Sequence, residues 1–250
     1  MNHQHPESRS DSLLLTIHSI FLTIQGEGPF TGRPAIFIRL AGCNLQCPGC
    51  DTDYTSHRHR MTPIDVAMKV FLLGDHLPYP PLIVITGGEP LRQSAVERLI
   101  EDFIAHGRIV QLETNGSYAL GSVTKSCTIL SSFSRGPAQR APGLYIVCSP
   151  KTGSLSPALV PFIGAYKYVL QEGFIDEKDG LPTQALGHSA KPVVARPPED
   201  YMERGFPVYV QPMDEGNPER NKLNLAACIQ SAMKFGYLLQ LQTHKIIGVQ

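Results

Sequence analysis

The sequence predicts an α/β fold in which parallel strands are joined by right-handed crossovers, as a barrel or an open sheet. Segments typical of strands alternate with segments typical of helices. The 250 residues are enough for one sizeable core, and α/β barrels commonly have this length. Short polar motifs follow the strand-like segments directly, where parallel α/β folds place their sites. The predicted helices are too few for a full eight-fold barrel.

Eight segments rich in β-branched and aromatic residues are predicted as strands. They are Leu13–Phe21, Ala35–Leu40, Leu82–Thr86, Ile109–Glu113, Tyr145–Cys148, Tyr166–Leu170, Val208–Val210 and Leu238–Leu241. Polar motifs follow six of these strands: a cysteine cluster, Gly87-Gly88-Glu89-Pro90, Glu113-Thr114-Asn115-Gly116, Ser149-Pro150-Lys151, Gln211-Pro212 and Gln242-Thr243-His244-Lys245. Because the carboxyl ends of parallel strands lie at one edge of a sheet, we expect the six motifs to meet in one mouth.

Three helices are predicted between the strands. Thr62 with Asp65, and Ser94 with Glu97, resemble capping boxes at two helix starts. The expected apolar face of the first helix comprises Ile64, Ala67, Met68 and Phe71. That of the second comprises Leu99, Ile100, Phe103 and Ile104, and Gly107 is expected to end this helix. The third helix is expected to have Asn217 as its cap, Pro218 at its first position and Gly236 after its last.

The overall composition favours a small-molecule enzyme over a nucleic-acid-binding or membrane protein. The 22 basic residues balance 22 acidic ones, whereas proteins that bind nucleic acid usually carry a basic surplus. The chain has no apolar run long enough to span a membrane and no signal peptide, so a cytoplasmic location is expected. We predict a disordered tail at residues 1–12, one domain at residues 13–250, and surface excursions at Gly116–Pro142 and Gly173–Pro207.

Three of the six cysteines form a C-x3-C-x2-C array at Cys43, Cys47 and Cys50. In a reducing compartment such a cluster indicates metal binding. Three thiolates could hold three irons of a 4Fe–4S cluster and leave the fourth iron open for an external ligand. A zinc site with His57 or His59 as the fourth ligand is the alternative. The scattered Cys127, Cys148 and Cys228 are expected to be buried apolar residues.

The Gly87-Gly88-Glu89-Pro90 motif favours the iron–sulfur alternative. Paired glycines let the backbone approach a ligand closely, and Glu89 could accept a hydrogen bond from an amine. Together with the cysteine triad, this motif is the signature of radical S-adenosylmethionine (SAM) enzymes, in which SAM chelates the open iron.

The run QGEGPFTGRPAIFIRLAGCNLQCPGCDT closely resembles the 7-carboxy-7-deazaguanine synthase family. The motifs ITGGEP, ETNG, SPK, QP and QTHK match that family in order, so the resemblance extends from about Ile20 to the C-terminus. The two predicted excursions match least.

The resemblance implies a shortened, partly open (β/α) barrel of the radical SAM type. It implies a carbon–nitrogen lyase that contracts 6-carboxy-5,6,7,8-tetrahydropterin to 7-carboxy-7-deazaguanine with loss of ammonia, a step toward queuosine. The implied cofactors are a 4Fe–4S cluster, SAM and Mg2+. The implied partners are the pterin substrate, an electron donor such as flavodoxin, and a second copy in a homodimer, with no nucleic acid and no membrane.

The resemblance also assigns individual residues. Cys43, Cys47 and Cys50 would ligate iron, and the Thr52 hydroxyl would ligate Mg2+. The implied pterin contacts are Ile24, Gln25, Gly26, Glu27, Arg39, Thr114, His244 and the terminal Gln250, with Arg39 binding the substrate carboxylate. The implied SAM contacts are Gly49, Cys50, Asp51, Gly88, Glu89, Gly116, Ser149, Pro150, Lys151, Gln211, Pro212, Met213 and Asp214.

One position departs from the superfamily pattern. The residue before the third cysteine is often aromatic in radical SAM enzymes and packs near the adenine, but here it is Gly49. The contacts of the adenine are therefore unassigned.

Two other functions share part of the pattern. A glycyl-radical-activating enzyme has the cysteine triad but does not explain QGEG, Arg39 and QTHK together, and a non-catalytic zinc module predicts no SAM affinity.

Overall fold

All strands of the described residues lie in a single sheet. The structure is a computed structural model that describes residues 6–121, 142–187, 193–203 and 205–250. Its strands are β1 (Leu15–Ile24), β2 (Pro34–Leu40), β3 (His59–Met61), β4 (Leu82–Gly87), β5 (Ile109–Thr114), β6 (Gly143–Cys148), β7 (Ile163–Leu170), β8 (Val208–Pro212) and β9 (Leu238–Leu239). Its α-helices are α1 (Pro63–Gly74), α2 (Ala95–Ala105), α3 (Pro218–Phe235) and α4 (Thr243–Ile247).

The sheet is mostly parallel and does not close. The spatial order is β3-β1-β2-β4-β5-β6-β7-β8-β9, so two edges remain. Strands from β2 to β9 along this order are parallel, while β1 pairs antiparallel with β2 and β3 pairs antiparallel with β1. The predicted shortened, partly open barrel is confirmed. The sequence pattern did not reveal that the first strand reverses direction.

Side chains that alternate along the strands build two different cores. The larger apolar core packs the outer face of the sheet against the helices. A smaller cluster fills the concave face near the amino ends of the strands, and it comprises Phe30, Ala35, Leu82, Val84, Tyr145, Val147 and Ala165. Further along the same face, at the carboxyl ends, the side chains become polar. The small cluster is thus the floor of a polar cavity.

Helix α1 begins as predicted but turns a different face inward. Thr62 and Asp65 form the capping box, with the Asp65 amide 3.2 Å from the Thr62 hydroxyl oxygen. The predicted apolar face is confirmed for Ala67 and Phe71, which pack against the core, and wrong for Ile64 and Met68, which are 65% and 58% exposed. The buried residues are Val66, Ala67 and Val70. Both sets of residues have helical spacing, and spacing alone does not decide which stripe contacts a sheet.

Helix α2 confirms its apolar face but not its capping box. Leu99, Ile100 and Phe103 are buried. Ser94 makes no side-chain cap, because its backbone is already helical at φ −59° and ψ −32°, and a capping residue needs an extended backbone. The Glu97 carboxylate instead accepts a hydrogen bond from the Gly121 amide at 2.9 Å. In α3, Asn217, Pro218 and Gly236 occupy the predicted positions.

Two short elements were missed by the sequence analysis, namely β3 and α4. Each has three to five residues, which is too short for a periodic pattern to emerge.

No helix in the described part of the chain is both long and apolar enough to cross a membrane.

The division into a tail and one domain stays a prediction, and residues 1–5 lie outside the described residues. Glu7, inside the predicted tail, pairs with Arg58 at 2.9 Å and with Arg92 at 3.0 Å. Cys127 and much of the first excursion also lie outside the described residues.

The two predicted capping boxes provide a matched test. Thr62→Ala removes a side-chain cap and should lower the free energy of unfolding by about 1 kcal/mol. Ser94→Ala removes a hydroxyl that caps nothing and should change it by less than about 0.5 kcal/mol. Urea unfolding of both variants beside the wild type measures the difference. Equal losses would show that the capping geometry described for these helices is wrong.

Candidate active site

A cavity of about 380 Å³ opens at the carboxyl ends of the parallel strands. All six predicted motifs contribute residues to its wall. In chain order these residues are Cys43, Cys47, Cys50, Gly88, Thr114, Ser149, Lys151, Gln211, Pro212, Gln242 and His244. The expectation that these motifs meet in one mouth is confirmed. The parallel register is the cause, since it aligns the carboxyl ends of β2 and of β4 to β9, six of which precede the motifs.

The three cysteines of the array all border this cavity. Burial raises the pKa of Cys43 to about 12 and that of Cys47 to about 11, so the thiols are protonated in the metal-free protein at neutral pH. The Leu45 amide donates a hydrogen bond to the Cys43 sulfur at 3.4 Å, an interaction that also stabilises a thiolate. Three soft sulfur donors with no carboxylate among them suit iron and do not suit Mg2+.

The proposed fourth ligands of a zinc site lie elsewhere. His57 and His59 are not among the residues that line the cavity. The His57 ring lies 2.8 Å from the Ser56 hydroxyl and stacks edge-on against His18. Among the described residues, no three His, Cys, Asp or Glu side chains converge closely enough to hold a single metal ion. The geometry therefore favours the iron–sulfur alternative over the zinc module.

Gly88 allows the end of β4 to press against the cysteine loop. A Cβ atom at Gly88 would lie 2.7 Å from the Cys43 Cβ and would overlap the Gly42 carbonyl. Only a hydrogen atom fits as the side chain at position 88, because these distances are much shorter than the van der Waals contact distance between non-bonded atoms. Gly88 itself lines the cavity, as its assignment to SAM binding requires.

Glu89 lies behind the cavity wall. It is fully buried and does not line the cavity. Its carboxylate accepts hydrogen bonds from the Thr114 hydroxyl at 2.8 Å, the Asn115 amide at 2.7 Å and the Leu91 amide at 3.0 Å. Burial raises the pKa of Glu89 to about 7 in spite of these donors. Glu89 thus joins the ends of β4 and β5, and its predicted contact with SAM stays a prediction.

Glu27 forms a buried ion pair with a residue that the sequence analysis missed. One Glu27 oxygen pairs with the ammonium of Lys167, and the other accepts from the Gln242 amide at 2.8 Å. Burial opposes ionisation, but the Lys167 charge outweighs it and holds the pKa of Glu27 below its usual value. A lysine in the middle of an apolar strand, AYKYVL, was the available signal, because a charge is rarely buried without a partner.

Glu113 lines the cavity, as expected of the motif that contains it, although the sequence analysis gave it no individual role. It accepts hydrogen bonds from Gln25 at 3.1 Å and from Gln111 at 2.8 Å, while the Thr86 hydroxyl donates to its other oxygen at 3.2 Å. Gln25 in turn accepts from the Glu27 amide at 3.1 Å. The Q-G-E segment is therefore anchored to β5 by side chains.

Arg39 is the cation of the cavity that keeps an unused donor. Its Nε atom is buried and has no hydrogen-bond partner within the described part of the chain. Its guanidinium lies 5.6 Å from the centre of the Phe21 ring. Burial lowers the pKa of Arg39, although the nearby charge of Glu113 raises it. A buried guanidinium with a free donor is suited to bind a carboxylate with two parallel hydrogen bonds.

The C-terminal segment is tied over the cavity by charges. Lys245 donates to Asp51 at 3.0 Å and to Asp214 at 2.9 Å. Gln242 donates to the same Asp51 oxygen at 2.9 Å. The hydrogen bond from Lys245 lowers the pKa of Asp214 to about 2. Both aspartates were assigned to SAM, and in this structure they share the single positive charge of Lys245.

The remaining assigned residues fall into two groups. Thr52, Ile24, Thr114, Ser149, Lys151, Met213, His244 and Gln250 line the cavity, whereas Gly26, Gly116 and Pro150 do not. The Gln250 carbonyl accepts from the Thr23 hydroxyl at 2.8 Å, which holds the last residue on β1. Gly26 lies directly under the His244 ring, where a Cβ would overlap the imidazole. The individual ligand contacts stay predictions.

Comparisons with known proteins agree with this site. Residues 24–129 match a family described as a 4Fe-4S single cluster domain. A 7-carboxy-7-deazaguanine synthase of Rhodospirillum rubrum is 42% identical over 246 residues, covering 96% of this chain and 94% of that protein. A protein of the same name from Rickettsia prowazekii is 33% identical, covering 96% and 91%. The crystal structure of QueE from Escherichia coli has a similar fold, with a TM-score of 0.59, 22% identity and coverage of 92% and 94%.

The raised pKa of Glu89 predicts a specific pH dependence of stability. The ordinary pKa of a glutamate is 4.5, and the folded value is about 7, so the folded protein holds this proton more tightly between those values. As the pH rises through this window, the free energy of unfolding of the wild type therefore falls. The Glu89→Gln variant has no carboxyl group at this position and does not show this fall. We expect the stability difference between wild type and Glu89→Gln to shrink as the pH rises from about 5 to about 7.5.

Urea unfolding of the metal-free proteins at several pH values measures this difference. Glu199→Gln, at an exposed position, is the control and should follow the wild type throughout. A difference that is constant or that widens with pH contradicts the assignment.

Proposed function

The chain belongs to the 7-carboxy-7-deazaguanine synthase family, and we propose that it converts 6-carboxy-5,6,7,8-tetrahydropterin to 7-carboxy-7-deazaguanine with release of ammonia. The reaction would make it a carbon–nitrogen lyase. The observation that carries the proposal is the shared cavity, where the cysteine triad, the glycine pair Gly87-Gly88 and the half-buried Arg39 meet. Each of these features has a separate role in such a reaction.

The cofactors of this family are a 4Fe–4S cluster and SAM. When bound, they supply the one-electron cleavage that makes a hydrogen-abstracting group, which is chemistry that side chains do not provide. Cys43, Cys47 and Cys50 would hold the cluster, and their thiols must lose protons to do so. The glycine pair of β4 supports this role, because it holds the cysteine loop against the cavity.

The residues that line the cavity suit two ligands. Following the resemblance, we assign to SAM the residues Gly49, Asp51, Gly88, Ser149, Lys151 and the segment from Gln211 to Asp214. We assign to the pterin the residues Ile24, Gln25, Glu27, Arg39 and Thr114. The residues of the chain would orient both ligands and exclude water from the space between them.

Charge complementarity supports the orientation of the pterin. Glu27 is held ionised by Lys167 and can accept hydrogen bonds from an amino-pyrimidine edge. Arg39 offers its free donor to the carboxylate at the opposite end of the substrate. The substrate would thus lie between a fixed anion and a fixed cation, and this arrangement selects one orientation.

Further assignments rest on the family resemblance. Thr52 lines the cavity next to Asp51 and would ligate Mg2+ through its hydroxyl. His244 and the carboxylate of Gln250 would contact the pterin, and both line the cavity. A homodimer, a flavodoxin-like electron donor and a cytoplasmic location are supported by the resemblance alone.

An anaerobic assay tests the function directly. The reconstituted protein is incubated with SAM, reductant, Mg2+ and carboxytetrahydropterin, and the products are identified by mass spectrometry. We expect 7-carboxy-7-deazaguanine from the wild type. Cys50→Ser should lose product and the absorption of the cluster, because one iron ligand is removed. Cys228→Ser, in the buried core away from the cavity, should keep both.

The outcomes of this assay separate the alternatives. Formation of 5′-deoxyadenosine without the deazaguanine product would mean that the radical SAM assignment is right and the substrate is wrong. Absence of both products from a protein with a full cluster would exclude the proposed function.

Arg39 variants test the orientation of the substrate. Arg39→Met leaves the substrate carboxylate without a partner and should lower kcat/KM by roughly a hundredfold or more. Arg39→Lys keeps the charge but loses the paired donors, so its loss should be smaller. Arg98→Met, on the exposed face of α2, is the control. Unchanged kcat/KM in Arg39→Met, with the cluster intact, would refute the carboxylate contact.

A further inference from the structure

The space beside Gly49 is already occupied by another side chain. A Cβ atom at Gly49 would overlap the Met213 methyl group and would lie 3.2 Å from the Leu186 carbonyl oxygen. Gly49, Met213 and Leu186 all line the cavity, next to Cys47 and Cys50. The volume that a side chain at position 49 would fill is therefore filled by Met213, the residue that follows β8.

Met213 is held in place from both sides. Its amide donates to the Leu170 carbonyl at 2.8 Å, and its carbonyl accepts from the Asn224 side chain at 2.9 Å. Asn224 is fully buried in α3 and also accepts from the Glu172 amide at 2.8 Å. The backbone that carries the Met213 side chain is thus fixed by β7 and α3, and only the side chain itself can adjust.

Leu186 is held in an unusual backbone conformation. Its carbonyl accepts a hydrogen bond from the Gly49 amide at 2.8 Å, which attaches the second excursion to the cysteine loop. Its φ is +50°, and among the described residues it is the sole non-glycine residue with a positive φ. A branched residue in this region costs free energy unless its surroundings require it, and such outliers concentrate at ligand sites.

These contacts have a chemical consequence for the end of the cavity nearest the cysteines. A thioether methyl stands where the side chain would begin in a chain with a larger residue at position 49, and the backbone of Leu186, another lining residue, lies beside it. A methionine sulfur and methyl pack favourably on a flat heteroaromatic ring, and the thioether is flexible enough to follow its surface. The pair offers an apolar surface but no aromatic stacking at this position.

We propose that Met213 and Leu186 together form the apolar seat for the adenine ring of SAM, in place of a side chain at position 49. The inference rests on the proposed use of SAM and adds which residues hold which part of it. It also assigns a role to the second excursion, in which the Leu186 carbonyl accepts the hydrogen bond from the cysteine loop.

The affinity for SAM tests the proposal without turnover. The protein with a loaded, oxidised cluster is titrated with SAM in the absence of reductant, and Kd is measured by equilibrium dialysis. Met213→Ala should raise Kd roughly tenfold, because it removes most of one apolar contact. Leu186→Gly should also raise Kd, and since glycine suits a positive φ, its fold should be at least as stable as the wild type. Met233→Ala, at a position 82% exposed, should leave Kd unchanged.

A double variant that adds a large side chain at position 49 and removes the one at position 213 gives a sharper test. Gly49→Phe alone should weaken SAM binding, because the ring and the Met213 side chain compete for one space. Combining Gly49→Phe with Met213→Ala should return Kd to within about threefold of the wild type, a non-additive result expected only for residues that share a site. Iron content and the visible absorption of the cluster are measured for every variant.

The outcomes separate this inference from the proposed function. A wild type with a full cluster and no SAM affinity would exclude the proposed function and the inference with it. Wild-type binding with Kd unchanged within twofold in both Met213→Ala and Leu186→Gly would overturn the adenine seat alone. A double variant that binds as weakly as Gly49→Phe would also overturn it.

Discussion

The close contact between the end of β4 and the cysteine loop is the constraint on which the rest of the site depends. Gly88 lies so near Gly42 and Cys43 that only hydrogen fits as its side chain. The Gly88 amide donates to Leu40 at 3.3 Å and the Glu89 amide donates to Gly42 at 3.1 Å, so the loop leaves β2 in a fixed direction. The three thiols are thereby turned toward the cavity, and Glu89 then links the same corner to β5.

Charges on the cavity wall are paired across parts of the chain that are far apart in sequence. Glu27 meets Lys167 from β7, and Asp51 and Asp214 meet Lys245 from α4. Buried or half-buried charges need such partners, because desolvation of a lone charge is costly. These pairs also hold the C-terminal segment over the cavity. Arg39 differs, since its buried Nε has no hydrogen-bond partner among the described residues, and this observation supports its proposed role in binding the substrate carboxylate.

Several features of the site were beyond what the sequence patterns could indicate. Lys167 reaches the cavity because every second side chain of β7 faces its concave side, and that face becomes known only when the sheet is assembled. Met213 and Leu186 meet Gly49 through contacts between segments more than 100 residues apart. The zinc alternative likewise depended on where His57 and His59 would lie, and both are outside the cavity lining.

The sequence by itself determined the fold class, the positions of most strands, the cysteine triad and the six motifs of one cavity. It did so because strand composition, helix caps and the order of motifs are local properties of the chain. The tertiary structure decided the direction of β1, the inward face of α1, the position of Glu89 behind the wall and the partners of each buried charge. Those properties depend on which surfaces exclude water together, and only long-range packing determines that.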